Sequence, residues 1–92
     1  MNSLLRGVRP SEGVIATCLD GDTILLNTRT GRYFVLDEVG GRMWNLLLQH
    51  GRPESVLVAL KVEYDAPEDE VERDLLNLIA ELERNGLLSS SS

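Results

Sequence analysis

Residues 30–37 read TGRYFVLD, and this stretch decides the fold. Most of its residues after the glycine are β-prone or aliphatic, which predicts a strand that follows a turn. Side chains alternate along a strand, so Tyr33 and Val35 share one face. Phe34 and Leu36 then share the other. Both faces are apolar, which a small sheet with one face in water would not need. Either something covers the second face, or the strand is a docking edge for a partner.

Two further strands precede this stretch. Residues 14–19 and residues 23–27 are rich in β-branched and aliphatic side chains. The sequence DGD between them is turn chemistry, because Asp and Gly tolerate the positive φ of a tight hairpin. A second turn, TRTG at residues 28–31, leads into the third strand. Three strands joined by short turns predict an antiparallel meander.

After Asp37 the apolar period changes from that of a strand to that of a helix. Asp37 is placed to cap a helix that begins at residue 38 and stops at Gly51. The glycines at 40 and 41 indicate either close packing against a strand or a frayed start. Pro53 opens a second helix, which runs to about residue 64. A third helix covers about residues 67–85 and ends at the Asn-Gly pair 85–86, a C-cap signal.

The third helix has a core stripe and one apolar residue that lies off it. The stripe consists of Val71, Leu75, Leu78, Ile79 and Leu82. Leu76 projects about 100° away from Leu75. The side on which it projects is otherwise polar or small and carries Glu72, Arg73, Ala80 and Glu83. A groove between the third strand and the third helix would use Leu76 together with the apolar strand.

The order of elements predicts an α+β fold that resembles a winged helix-turn-helix, with a three-stranded antiparallel sheet followed by three helices. We expect residues 1–13 to be a flexible arm, residues 14–88 the domain and residues 89–92 a disordered tail. No signal peptide and no apolar run long enough to span a bilayer is visible. Cys18 has no second cysteine to pair with, so the default expectation is a cytoplasmic protein with no membrane partner.

Charge argues against a nucleic-acid partner. The chain has a net charge of −6, and residues 53–92 hold ten acidic side chains against three basic ones. A phosphate-binding surface needs clustered Lys and Arg, and the chain has a single Lys. An enzyme site is equally poorly supported, since the sequence contains no zinc-protease motif, no phosphate loop, no nucleophile elbow and no Cys/His cluster.

Residues 14–88 are similar to a known family. The run LLNTRTGRYFVLDEVGGRMWNLL, the helix that ends in EY and the segment VERDLLNLIAELERNGLL resemble pyrroloquinoline quinone biosynthesis protein D. More narrowly, they resemble the stand-alone recognition proteins of lasso peptide biosynthesis. The order and spacing of the segments carry the resemblance. Position 37 is Asp where the family often has Asn, and both residues cap helices.

The resemblance implies a recognition element for ribosomally synthesised and post-translationally modified peptides (RiPPs), without catalytic residues, metal or cofactor. In that family the leader of a precursor peptide adds as an antiparallel strand to the third strand and packs apolar side chains against the third helix. The leader peptidase and a macrolactam-forming cyclase are the further partners that it implies. The peptide-binding residues predicted on this basis are Arg32, Tyr33, Phe34, Val35, Leu36, Glu72, Arg73, Leu75, Leu76, Ile79 and Ala80.

Two other functions remain open from the sequence. A winged-helix DNA-binding protein has the same predicted elements, although residues 67–84 carry seven acidic side chains and only two Arg. A small dimerisation or adaptor module would use the same apolar edge.

Overall fold

A computed structural model describes residues 7–90, except for the side chain of Ser90. The elements in chain order are β1 (Val8–Pro10), β2 (Val14–Leu19), β3 (Asp22–Asn27), β4 (Tyr33–Leu36), α1 (Glu38–His50), α2 (Pro53–Glu63), α3 (Glu68–Arg84) and β5 (Leu88–Ser90). The α+β class with three helices and antiparallel sheets is confirmed. None of the helices in the described part of the chain is long and apolar enough to cross a membrane.

The predicted meander is confirmed. Strands β2, β3 and β4 form an antiparallel sheet in that order, so β4 is an edge strand with β3 as its neighbour. The register pairs Leu25 with Phe34 and Leu26 with Tyr33. Asp20 and Gly21 have φ values of 53° and 87° in the first hairpin, which is the left-handed backbone that their sequence predicts.

The two chain ends differ from expectation. Residues 8–10 were predicted to lie in a flexible arm and residues 89 and 90 in a disordered tail, whereas residue 88 was predicted to end the domain. They instead pair as an antiparallel ribbon of β1 and β5, in which Val8 lies opposite Ser90. The ribbon is held because Val8 and Leu88 are buried, at 4% and 3% exposure. Residues 1–6, 91 and 92, the rest of the predicted arm and tail, lie outside the described residues.

Helix α1 begins and ends where the sequence predicts. The Asp37 carboxylate accepts a hydrogen bond from the Gly40 N–H at 2.8 Å, and Gly51 closes the helix with φ 74°. Gly41 is buried against β3, since a Cβ at this position would lie 2.6 Å from Thr23 Oγ1. Of the two explanations for the paired glycines, close packing against a strand is therefore correct at Gly41.

Helices α2 and α3 also lie within one residue of their predicted limits. Pro53 occupies the first turn of α2, where its missing N–H costs nothing. Gly86 has φ 74° after the end of α3, and the next N–H, that of Leu87, donates to the carbonyl of Leu82 at 2.8 Å. This is the hydrogen bond of a Schellman cap, and it turns the chain from α3 into β5.

One hydrophobic core joins the helices to the inner face of the sheet. Its buried members are Val8, Leu25, Leu36, Met43, Trp44, Leu46, Leu47, Val56, Leu57, Leu60, Val71, Leu75, Ile79, Leu82, Leu87 and Leu88. Leu78 was predicted for the core stripe but is only partly buried. The buried stripe is centred on Val71, Leu75 and Leu82, whereas Leu78 lies at its margin. Trp44 is 2% exposed, as expected of a core residue.

An ion pair links α1 to the end of α2. Arg42 donates from Nε and Nη2 to the two carboxylate oxygens of Glu63 at 2.8 and 2.7 Å. These hydrogen bonds lower the pKa of Glu63 and raise that of Arg42. Both side chains are exposed to water, so the pair fixes geometry more than it stabilises the fold.

Candidate functional site

In the described part of the chain, the edge of β4 that faces away from β3 pairs with no other strand. The Asn27 N–H donates to the Arg32 carbonyl at 2.8 Å, which makes Asn27 and Arg32 a hydrogen-bonded pair. Hydrogen-bonded and non-bonded pairs alternate in an antiparallel ladder. The backbone groups of Phe34 therefore point at β3, whereas those of Tyr33 and Val35 point away from the sheet. β4 can thus accept an added strand through the N–H and C=O groups of these two residues.

The two faces of β4 have different surroundings. Helix α1 packs against β3 and β4 on the inner face, where Leu36 is 3% exposed and Phe34 is half-buried against the core. On the outer face no helix covers the strand in the described part of the chain, and Tyr33 and Val35 are 68% and 51% exposed. The sequence left open whether something covers the second apolar face; within residues 7–90 it is uncovered.

Helix α3 carries the remaining residues of the predicted site. It packs mainly against α2 and β5, and β4 is not among its main neighbours. Leu76 is half-buried and does not belong to the residues that pack on the core. Glu72, one turn earlier, is also half-buried, while Arg73 and Ala80 are exposed.

Three of the predicted binding residues contribute little surface, and one of them is Leu36 of β4, which is 3% exposed. Leu75 is 0% exposed and Ile79 is 4% exposed, because both lie in the middle of the core stripe. In this conformation Leu75 has no exposed surface with which to contact a ligand. The accessible members of the predicted set are Arg32, Tyr33, Phe34, Val35, Glu72, Arg73, Leu76 and Ala80.

Asn27 sets the relation between the strand and the helix, and its role was missed in the sequence. Its Nδ2 donates to the Gly86 carbonyl at 2.8 Å. Its Oδ1 accepts from the N–H groups of Arg29 at 2.9 Å and Thr30 at 3.3 Å, inside the turn that leads to β4. One side chain, 5% exposed, therefore joins the start of β4 to the end of α3. The signal available was an Asn directly before a turn, where its side chain commonly bonds the following backbone.

The more enclosed concavities lie elsewhere. One, of about 450 Å³, is lined by Arg9, Pro10, Ser11, Glu12 and Ser89. Another, of about 260 Å³, is lined by Cys18, Gly21, Thr23, Glu38, Gly41, Arg42, Asn45 and Tyr64. Neither contains a predicted binding residue. Among residues 7–90, no three His, Cys, Asp or Glu side chains meet as a metal site would require.

Comparison with solved structures finds two similar chains with leader peptides. The first is described as TbiB1 in complex with the TbiA(beta) leader peptide; it is 37% identical, with a TM-score of 0.83, and the alignment covers 91% of this chain and 98% of that one. The second is described as lasso peptide synthetase B1 complexed with the leader peptide, at 26% identity, TM-score 0.81, and coverage of 90% and 98%.

Comparison by sequence gives the family. No curated protein matches the chain. The family model described as coenzyme PQQ synthesis protein D (PqqD) matches residues 22–88, a segment that runs from the start of β3 to the start of β5. Because this match covers well over half of the chain, the protein belongs to the PqqD family.

Proposed function

We propose that this chain is a RiPP recognition element that binds the leader segment of a precursor peptide in lasso peptide biosynthesis. The observation that carries the proposal is the free edge of β4, with the backbone of Tyr33 and Val35 directed outward. It is supported by the two similar structures, both of which are described as complexes with leader peptides. Strand addition to an exposed sheet edge is a common mode of peptide recognition.

Backbone pairing supplies the first part of the affinity. Tyr33 and Val35 each offer one N–H and one C=O, so a leader strand gains up to four ladder bonds from them. Each is worth roughly 0.5–1.5 kcal/mol net. A micromolar complex needs about −8 kcal/mol, so side chains must provide the remainder.

Apolar anchors supply that remainder. On the inner side of an added strand, alternate leader side chains would project toward Phe34 and, across the space beside β4, toward Leu76. Leu75 and Ile79 form the floor beneath this groove, and the small Ala80 leaves room at its rim. On the outer side, leader residues would lie beside Tyr33 and Val35 and stay in contact with water.

We assign selectivity for polar leader side chains to charged residues beside the proposed groove. Arg32 precedes the strand, and Glu72 and Arg73 lie on the side of α3 that carries Leu76. Glu72 is half-buried, so its charge is screened less than that of an exposed carboxylate. We assign Glu72 and Arg73 to the orientation of polar leader side chains.

The protein acts in this proposal without catalysing a reaction and without a cofactor. It presents the bound precursor to separate enzymes, a leader peptidase and then a macrolactam-forming cyclase, in the cytoplasm. A winged helix-turn-helix architecture remains our interpretation of the sheet and the three helices. DNA binding is the weaker alternative, because α3 carries Glu68, Asp69 and Glu70 in its first turn.

The test is a titration of the synthetic cognate leader, fluorescently labelled, into the purified chain, with random duplex DNA as the competing ligand. We expect saturable leader binding at micromolar concentration or below. We expect no retardation of DNA at low salt, where non-specific binders reach about 10⁻⁴–10⁻⁶ M. Retardation of DNA that weakens steeply with salt, together with no leader binding, would reverse the assignment.

A further inference from the structure

The strand β2 is exposed on both faces. Its outer-face residues Ile15 and Leu19 are 53% and 59% exposed. Its inner-face residues Ala16 and Cys18 are exposed as well. Most of the inner face is exposed because α1 packs mainly against β3 and β4, and Val14, at the start of the strand, is half-buried against the core. An uncharged strand that is largely uncovered on both faces within residues 7–90 is unusual in a monomer, because such a strand needs neither face to be apolar.

Within residues 7–90, the outer edge of β2 also pairs with no other strand. The Thr28 N–H donates to the Gly13 carbonyl at 2.9 Å, so in the alternating ladder the N–H groups of Ile15 and Thr17 face β3. The backbone groups of Ala16 and Cys18 consequently point outward. The Val14 N–H is already used, since it donates to Ser11 at 3.2 Å. The free edge therefore offers the N–H and C=O of Ala16 and Cys18 and the C=O of Val14.

Nothing in the sequence of β2 protects this edge. The strand reads VIATCL, with no charged residue and no proline over six positions. Soluble proteins usually prevent pairing at an exposed edge strand by means of Lys, Pro, a β-bulge or a short strand. The other edge, β4, is four residues long and has Arg32 directly before it. The contrast within one sheet indicates that β2 is kept open for pairing.

We propose that β2 pairs with β2 of a second copy of this chain, antiparallel about a two-fold axis between the two Ala16 residues. In this register Val14 lies opposite Cys18 of the other copy and Ile15 opposite Thr17. Such an isologous contact satisfies both edges equally. It joins the two three-stranded sheets into one sheet.

Charge favours a second copy at this edge over any other surface. Each chain carries a net charge of −6, so two copies repel through most of their surface, α3 above all. Along β2 they meet without a single like-charge pair. Beyond the strand ends, Asp20 would approach Glu12 of the other copy. Glu12 is already paired with Arg29 at 3.2 Å, which reduces that repulsion.

The dimer leaves leader binding intact. β2 and β4 are opposite edges of the sheet, so both β4 strands lie at the outer limits of the joined sheet and remain free. The contact is also small, since one six-residue strand per copy is well below a standard interface. We therefore expect reversible association that depends on concentration and strengthens as salt screens the net charge.

Sedimentation equilibrium of the full chain, from about 10 to 500 μM, tests the proposal. The mass should rise from 10.2 kDa toward twice that value, and rise further in high salt. Ala16→Lys places two ammonium groups across the axis and should weaken association by about tenfold or more. Gln49→Lys adds the same charge on the exposed side of α1 and should dimerise as the parent does.

A disulfide distinguishes this edge from any other contact. Ala16→Cys in a Cys18→Ser background should form a covalent dimer on mild oxidation, because directly opposed bonded residues have Cα atoms about 5.5 Å apart. A parent chain that stays at 10.2 kDa throughout would overturn the proposal. The proposal would also be overturned if the Ala16→Lys variant associated as strongly as the parent chain. A chain that dimerises without forming the cross-link would likewise show that the contact lies elsewhere.

Discussion

The side chain of Asn27 donates a hydrogen bond to the carbonyl of Gly86 at 2.8 Å, across most of the length of the chain. Through its Oδ1 the same side chain also holds the backbone of the turn that leads into β4. The edge strand and the end of α3 are therefore positioned by one buried amide. We propose that this relation sets the position of β4 relative to α3, between which the leader would bind.

Replacing Asn27 by Ala should destabilise the fold and weaken leader binding together. The change leaves the Gly86 carbonyl and two turn N–H groups without their partner, at a cost of about 1–3 kcal/mol. Urea unfolding measures the stability, and leader titration at a temperature where the variant is folded measures the binding. Thr28→Ala is the control, because it removes an exposed hydrogen bond from the same turn and should change both little. Normal binding by a destabilised Asn27→Ala would contradict the positioning role.

Replacing Gly41 by Ala should destabilise the protein although Ala favours helices. The gain in helix propensity is about 1 kcal/mol, whereas crowding in a packed core costs about 1–3 kcal/mol. The crowding arises because the new Cβ meets Thr23 Oγ1 at 2.6 Å. Thr23→Ala removes that oxygen, so the double variant should be more stable than the sum of the two single changes. If the effects of the two single changes on the free energy of unfolding, measured in urea, simply add in the double variant, Gly41 and Thr23 are not in close contact.

Replacing Leu76 by Glu should weaken leader binding by tenfold or more, about 1.4 kcal/mol. The added carboxylate would have to be desolvated against an apolar leader side chain. The melting temperature should fall little, since Leu76 lies apart from the residues that pack on the core and such changes usually cost about 0.5 kcal/mol.

Two matched variants on α3 test the specificity of that result. Asn77→Glu adds the same charge to an exposed position on another side of the helix and should bind leader normally. Leu75→Glu buries a charge at a position that is 0% exposed and should unfold the domain. A Leu76→Glu variant that binds as the parent does would show that Leu76 is outside the groove.

Replacing Val35 by Pro should abolish leader binding while the domain stays folded. Proline removes an N–H that points away from β3, and such positions of edge strands tolerate it. Val35→Thr keeps the N–H and the branched side chain, so it should bind with near-parent affinity. Phe34→Pro should unfold the sheet instead, since its N–H belongs to the ladder with β3. Retained binding by a folded Val35→Pro would argue against strand addition at this edge.

The sequence predicted the strands, helices and caps of this fold within one or two residues because each has a local signal. Asp37, Gly51 and Pro53 mark helix ends, and alternating apolar residues mark β4. The ribbon of β1 and β5 was missed because it pairs two short segments from opposite ends of the chain, which no local pattern reveals. Leu78 was predicted to be in the core for a related reason. The helical period identifies the apolar stripe, but it does not tell which part of the stripe the neighbouring elements contact.

The candidate site was predictable in part. The edge position of β4 followed from its order in the meander, and the off-stripe position of Leu76 followed from helical period. The burial of Leu75 and Ile79 also followed from the core stripe, but the family resemblance added both to the predicted binding set, and the structure leaves them little surface. The link between Asn27 and Gly86 was not predictable, because it joins positions that only the folded chain brings together.

Amide hydrogen exchange, measured residue by residue by NMR with and without the cognate leader, tests the central claim most directly. In the free chain the Tyr33 and Val35 amides should exchange fast, because they point to water, while the Phe34 amide is protected by β3. Leader addition should slow exchange at Tyr33 and Val35 and leave the β2 edge, at Ala16 and Cys18, unchanged. Unaltered exchange at Tyr33 and Val35 under saturating leader, or new protection at Ala16 and Cys18 instead, would contradict leader binding by strand addition to β4.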